Sequence, residues 1–127
     1  MEKQYSDEEN EDFLKEHFES TKYRGRLESP TVSQHLLNRT CGDSVTLDLN
    51  IVNNRIEQAR VVSQGCVISQ SAASILCESI EGELLSDLKN FDVNMMLKFI
   101  RIPLSPQRTR CGLLAFEALK QIMSTIE

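Results

Sequence analysis

The chain has 127 residues, 40% hydrophobic and 26% charged, with a formal net charge of −5 at pH 7. That length suits one domain with a core of its own, no apolar run approaches the roughly 18 residues of a membrane span, and the acidic balance is the reverse of a nucleic-acid-binding footprint. The polar, acidic start from Met1 to Asn10 has neither the basic nor the apolar region of a signal peptide, so we expect a single cytoplasmic domain over residues 1–127 with no membrane or nucleic-acid partner.

Charge is uneven, because Met1 to Ser20 holds eight of the nineteen acids and two of the fourteen bases. Within it, Asp7 to Phe18 sets Phe13, Leu14 and Phe18 at helical spacing behind Asp7, Glu8 and Glu9, acids that favour a helix N-terminus. This predicts an acidic helix inside residues 1–20, docked at the domain edge. Thr21 to Arg39, with Gly25 and Pro30, reads as an irregular loop with a short helical turn around Val32 to Leu37. From Ser44 the pattern alternates, with Val45, Leu47, Leu49 and Ile51 on one face and Ser44, Thr46, Asp48 and Asn50 on the other. Asn53-Asn54 tolerates positive φ and suits a hairpin turn, so Ile56 to Ser63 is the returning strand, and its phase slip between Ile56 and Ala59 marks a bulge.

Four helical patterns follow. Ser69 to Glu81 carries a stripe of Ala72, Ala73, Leu76 and Ile80, small enough to lie close on a sheet, and stops at Gly82. Leu84 to Lys89 and Asp92 through Phe99 are short, the second capped by Asp92. Ser105-Pro106 opens the last helix, whose buried face runs Cys111, Leu114, Ala115, Ala118, Ile122.

The four cysteines lie in a chain long enough to fold without disulfides, so in a reducing compartment they read as ligands, reactive thiols or packing residues. No pair has CxxC spacing, which removes the usual zinc ribbon and the thiol redox enzyme. Cys41-Gly42-Asp43 allows a sharp turn that brings a thiol and a carboxylate to one point, although a plain turn with a half-buried thiol fits equally well. Cys66 precedes a helix start, where unpaired N–H groups favour a thiolate, and Gly65 leaves room beside it. Cys111 follows Arg108 and Arg110, which can hold a thiolate by charge, and it also suits the first core position of its helix. Cys77, mid-helix beside Leu76, is core. His17 and His35 read as surface residues, His35 being a minor ligand candidate through its nearness to Cys41.

Taken together, Cys41-Gly42-Asp43, the run Gly65-Cys66-Val67-Ile68-Ser69-Gln70-Ser71-Ala72-Ala73-Ser74, and Arg110-Cys111-Gly112-Leu113-Leu114-Ala115 resemble, in that order, the NifU/IscU/SufU family of iron-sulfur cluster assembly scaffolds. Glu16-His17-Phe18-Glu19 and Arg24-Gly25-Arg26-Leu27 extend the resemblance, which runs from about Phe13 to the C-terminus. It implies an α+β sandwich, a small antiparallel sheet of about three strands with helices packed on one face. It also implies a scaffold that is not an enzyme, with Cys41, Asp43, Cys66 and Cys111 as metal and cluster ligands, Cys41 or Cys111 as persulfide acceptor, and Asp43 as the acid that keeps the cluster labile.

The implied partners are a pyridoxal-phosphate cysteine desulfurase, which delivers sulfur, and apo-proteins that receive a transient 2Fe-2S cluster from a monomer or weak homodimer. The alternative is a zinc-bound sulfur acceptor of the SufU type that stimulates a cysteine desulfurase. In the IscU branch a histidine precedes the third cysteine and a Leu-Pro-Pro-Val-Lys segment recruits a chaperone; here Arg110 and Ile102-Pro103-Leu104-Ser105-Pro106 stand in those places, so the resemblance does not extend to a chaperone. Arg110 and the Gly-Cys-Val-Ile-Ser wording match the SufU branch, without that branch's insertion between the second and third cysteines. A plain protein-binding module, with the acidic helix as docking surface, is the remaining class.

Overall fold

Strict alternation in the middle strand organises the molecule. The structure, a computed structural model, describes residues 5–40 and 42–126. Its elements are α1 (Asp7–Glu19), β1 (Val32–Asn38), β2 (Asp43–Val52), β3 (Arg55–Gln64), α2 (Val67–Ile80), α3 (Leu85–Leu88), α4 (Val93–Ile100), α5 (Pro106–Gly112) and α6 (Leu114–Ile126). The strands form a three-stranded antiparallel sheet in the order β1-β2-β3. Val45, Leu47 and Leu49 point to one face and are wholly buried under α2, which lies on β3, and α6, which lies on β1 and β2.

Asn53 and Asn54 take φ of 54° and 61°, the left-handed pair that a two-residue hairpin turn needs. The expected bulge is present: Asn50 faces Gln58 and Ile51 faces Ile56, so Glu57 is the extra residue on β3. The insertion lets Ile56 and Ala59, three positions apart, both enter the core.

The segment expected to be a loop with a helical turn holds an edge strand, β1. Its alternation is real but weak, with Val32, Gln34 and Leu36 half-buried and Ser33, His35 and Leu37 exposed. Gln34 stands on the inward face and Leu37 on the outward one, so pairing with β2 and cover by α6, rather than its own pattern, specify this strand. The expected last helix is likewise two helices. Gly112 is packed so closely that a Cβ there would lie 3.2 Å from side-chain atoms of both Ile100 and Leu104, and the chain steps out of helix at the next residue, Leu113 (φ −98°, ψ −1°).

The sheet's outer face is tied down by a buried charge. After α1, Tyr23 and Gly25 bond the backbone of Val61, and the chain then crosses to Asp48, which is fully buried. The Asp48 carboxylate accepts from Arg26 Nε at 2.7 Å, the Leu27 amide at 3.0 Å and Ser33 Oγ at 2.5 Å. Burial pushes this carboxyl up, but those three donors and the Arg26 charge outweigh it and hold the group below the usual carboxylate range.

His17, expected at the surface, is buried in the seam between α1 and α2. Its Nδ1 lies 2.8 Å from Ser74 Oγ and its Nε2 3.5 Å from Glu78. Leu14 shares that face, and its carbonyl accepts from Ser71 Oγ at 3.1 Å. Burial pushes the imidazole below its ordinary value, against the opposing pull of Glu78 and Glu16.

Two outcomes follow from these buried polar groups. Asp48→Ala strands Leu27 and Ser33 without their acceptor and should lower the unfolding free energy by about 3 kcal/mol, read from a urea midpoint. For His17 the unfolded chain binds the proton more readily than the folded one. Stability is therefore full above the ordinary imidazole value of about 6.5 and declines as pH falls through it. His17→Gln should remove that part of the slope in denaturation curves between pH 7 and 5.

Candidate metal centre

The parity of β2 that buries Val45 also turns Asp43 toward the helices, where it is 6% exposed at the end of the sheet. Cys66 is the N-cap of α2 and is exposed, while Cys111 lies buried on α5. One strand start, one helix N-terminus and one short helix thereby converge, and the ligand atoms of Asp43, Cys66 and Cys111 all lie within 4.8 Å of one another. Among the described residues this is the one group of three or more histidine, cysteine and acidic side chains arranged to hold a metal ion. None of Cys66, Cys77 and Cys111 is disulfide-bonded.

Local chemistry explains the convergence. A Cβ on Gly65 would sit 2.5 Å from Cγ and Oδ1 of Asp43, so the carboxylate occupies the space that any side chain at 65 would need. The Gly65 carbonyl accepts from Gln70 Nε2 at 3.0 Å, which fixes the turn into α2. Ser69, 3% exposed, donates a short hydrogen bond to Asp43 Oδ2, and its Oγ also lies 3.5 Å from Cys66 Sγ. At Gly112 a Cβ would crowd Ile68, Ile100 and Leu104, so the glycine leaves room for α5 to pack on α2, which carries Cys111 to the group.

Partial burial pushes the Cys66 thiol up. The hydroxyl and amide of Ser69 and the amide of Ile68, all close to Sγ, outweigh that, so the thiol lies below its ordinary value even though Asp43 opposes ionisation. Cys77 is the opposite case: fully buried, it is driven far up by desolvation and belongs to the core, as expected.

The remaining expected site residues fall as follows. Cys41 lies outside the described residues; its neighbours Thr40 and Gly42 belong to the loop joining β1 to β2, and Gly42 takes the left-handed φ of 77° anticipated for a sharp turn. His35 pairs with Thr46 and contacts its Oγ1 at 2.9 Å, on the face of the sheet away from Asp43. Arg108 and Arg110 are exposed on α5. Sequence reasoning missed Ser69. Its signal was a hydroxyl three positions after an N-capping cysteine, where a side chain turns back toward the helix start.

Such a sheet, with two cysteines and an aspartate gathered at one end of its helix-covered face, defines a small α+β protein with a candidate site of mixed sulfur and oxygen donors. The chain belongs to the family described as NifU-like N terminal domain, whose model matches residues 9–126. It is 32% identical over 123 residues to the iron-sulfur cluster assembly scaffold protein IscU of Thermotoga maritima, covering 84% of this chain and 87% of that protein. It is 26% identical over 125 residues to the zinc-dependent sulfurtransferase SufU of Bacillus subtilis, covering 85% and 84%.

The fold matches a crystal structure from Fervidobacterium islandicum with a TM-score of 0.75 and 26% identity over 92% of this chain and 94% of that one; that protein is described as a putative iron-sulfur cluster assembly scaffold protein for the SUF system. The expected family and the expected α+β architecture are thus both found. No helix among the described residues is long and apolar enough to cross a membrane.

The contrast between Cys66 and Cys77 gives a direct measurement. In the folded, metal-free protein iodoacetamide should alkylate Cys66 at least about tenfold faster than Cys77, because exposure and thiolate fraction both favour it. Peptide mass spectrometry over time reads the two rates, and urea should remove the difference.

Proposed function

We propose that the chain is a scaffold for iron-sulfur cluster assembly, accepting sulfur from a cysteine desulfurase and building a transient 2Fe-2S cluster for apo-proteins. The observation that carries this reading is the convergence of Asp43, Cys66 and Cys111 from three separate elements. Relatives named as iron-sulfur cluster assembly scaffolds support it. The ligands in this reading are Cys41, Asp43, Cys66 and Cys111, and the cluster is cargo. Thiolates are soft donors suited to iron-sulfide, whereas the oxygen of Asp43 is a harder and weaker partner. A centre with one weak corner releases what it holds.

Sulfur arrives as a persulfide on the pyridoxal-phosphate desulfurase. The thiolate of Cys41 or Cys111 attacks the terminal sulfur, the desulfurase S–S bond breaks, and the desulfurase cysteine leaves as a thiolate. The scaffold turns over no substrate of its own and is not an enzyme in this reading. It works as one domain over residues 1–127, in the cytoplasm, as a monomer or weak homodimer.

A second reading is a zinc-bound sulfur acceptor that stimulates the desulfurase. Three cysteines and one carboxylate suit tetrahedral zinc, Arg110 stands directly before Cys111, and one relative is named a zinc-dependent sulfurtransferase.

The deciding experiment is anaerobic incubation with ferrous iron, cysteine and a cysteine desulfurase, followed by visible and Mössbauer spectra beside a zinc assay. A 2Fe-2S spectrum lost in Cys41→Ser, Cys66→Ser and Cys111→Ser and kept in Cys77→Ser is the expected result, with Asp43→Ala slowing loss of the cluster to a chelator by about tenfold. Tightly held zinc, no cluster, and desulfurase turnover that rises with wild type but not with Cys41→Ser would select the zinc relay. A protein that takes up neither would sink both readings.

A further inference from the structure

Asp43 and Asp48 are both buried carboxylates on β2, and they are satisfied in different ways. Asp48 has three donors, one of them charged. At Asp43 the Ser69 hydroxyl donates to Oδ2 while the carboxylate lies against the bare backbone of Gly65. Ser69 is itself 3% exposed and sits one helical turn beyond Cys66, so it contacts two of the three gathered ligand residues at once. A serine hydroxyl has one proton to donate, and the geometry commits it to Asp43. When Cys66 is a thiolate it has no proton to return, so with an ion present the serine serves the carboxylate alone.

We propose that Ser69 is a positioning residue for the metal centre. By occupying one oxygen of Asp43 it leaves a single oxygen for an incoming ion, and it fixes the carboxylate's rotation before the ion arrives. This inference rests on the metal-binding reading of the site. Without the hydroxyl, Asp43 is free to turn, or to offer both oxygens, and the ligand set loses its fixed shape. Gly65 is the complementary half of the device, since it gives the carboxylate the space in which Ser69 holds it.

Cobalt(II) serves as the probe, because its visible absorption reports the number and kind of ligands as well as affinity. The full-length protein, stripped of metal, is titrated as wild type, Ser69→Ala, Ser69→Thr, Asp43→Ala and the double variant Asp43→Ala/Ser69→Ala. Ser69→Ala should bind cobalt about tenfold or more weakly with a shifted ligand-field spectrum, and Ser69→Thr, which keeps the hydroxyl, should restore both. If Ser69 acts through Asp43, the double variant binds as Asp43→Ala does, within about twofold.

The double variant removes donor and acceptor together and leaves no unpaired buried charge, so the comparison stands even if Ser69→Ala alone fails to fold. Wild-type affinity and spectrum in Ser69→Ala, or a further tenfold loss in the double variant, would overturn the proposal while leaving the metal-binding reading intact. Wild-type protein that takes up no cobalt would overturn both.

Discussion

The register of the β2–β3 hairpin is the constraint on which the rest depends. Side chains alternate along a strand, so a slip of one residue would send Val45, Leu47 and Leu49 to solvent and turn Asp43 away from α2 and α5. Two local features fix that register. The Asn53-Asn54 turn sets where the strands begin to pair, and the extra residue Glu57 corrects the phase so that Ile56 and Ala59 are both buried. The pairing then runs to Ser44 and Gln64, which delivers the chain to Gly65 beside Asp43 and to Cys66 at the head of α2. Core and candidate centre are consequences of one alignment.

Two acids on one strand show how stability and chemistry are divided. Asp48 is enclosed by Arg26, Leu27 and Ser33, and that closure binds the chain after α1 across the outer face of the sheet. Asp43, at the end of the same strand, is held by Ser69 and packed against a glycine, next to two thiols. A carboxylate surrounded by donors contributes to holding the fold, whereas one with coordination capacity left over is available to a cation. The difference follows from which face each residue occupies and what covers that face.

Much of this was legible in the sequence. Alternation from Val45 to Ile51 gave the central strand, the slip after Ile56 gave the bulge, and Asp92 and Ser105 gave caps that the structure bears out by bonding the amides of Met95 and Arg108. The β1 strand was not legible, because an edge strand with Gln34 facing inward has too little pattern of its own. His17 was misjudged since a histidine among acids looks solvated, while its partners Ser74 and Glu78 lie on another helix more than fifty residues away. Of the candidate centre, the place of Cys66 at a helix start and the turn at Gly42 were readable from neighbours. The Ser69 and Gly65 contacts with Asp43 were not, because they exist only once β2 and α2 are side by side.

Asp43, Cys66 and Cys111 are far apart along the chain, and each belongs to a different element. Anything that grips all three therefore acts as a crosslink, closing two long loops that the unfolded chain would otherwise leave open. An ion bound there would raise the unfolding free energy by an amount that grows with its free concentration.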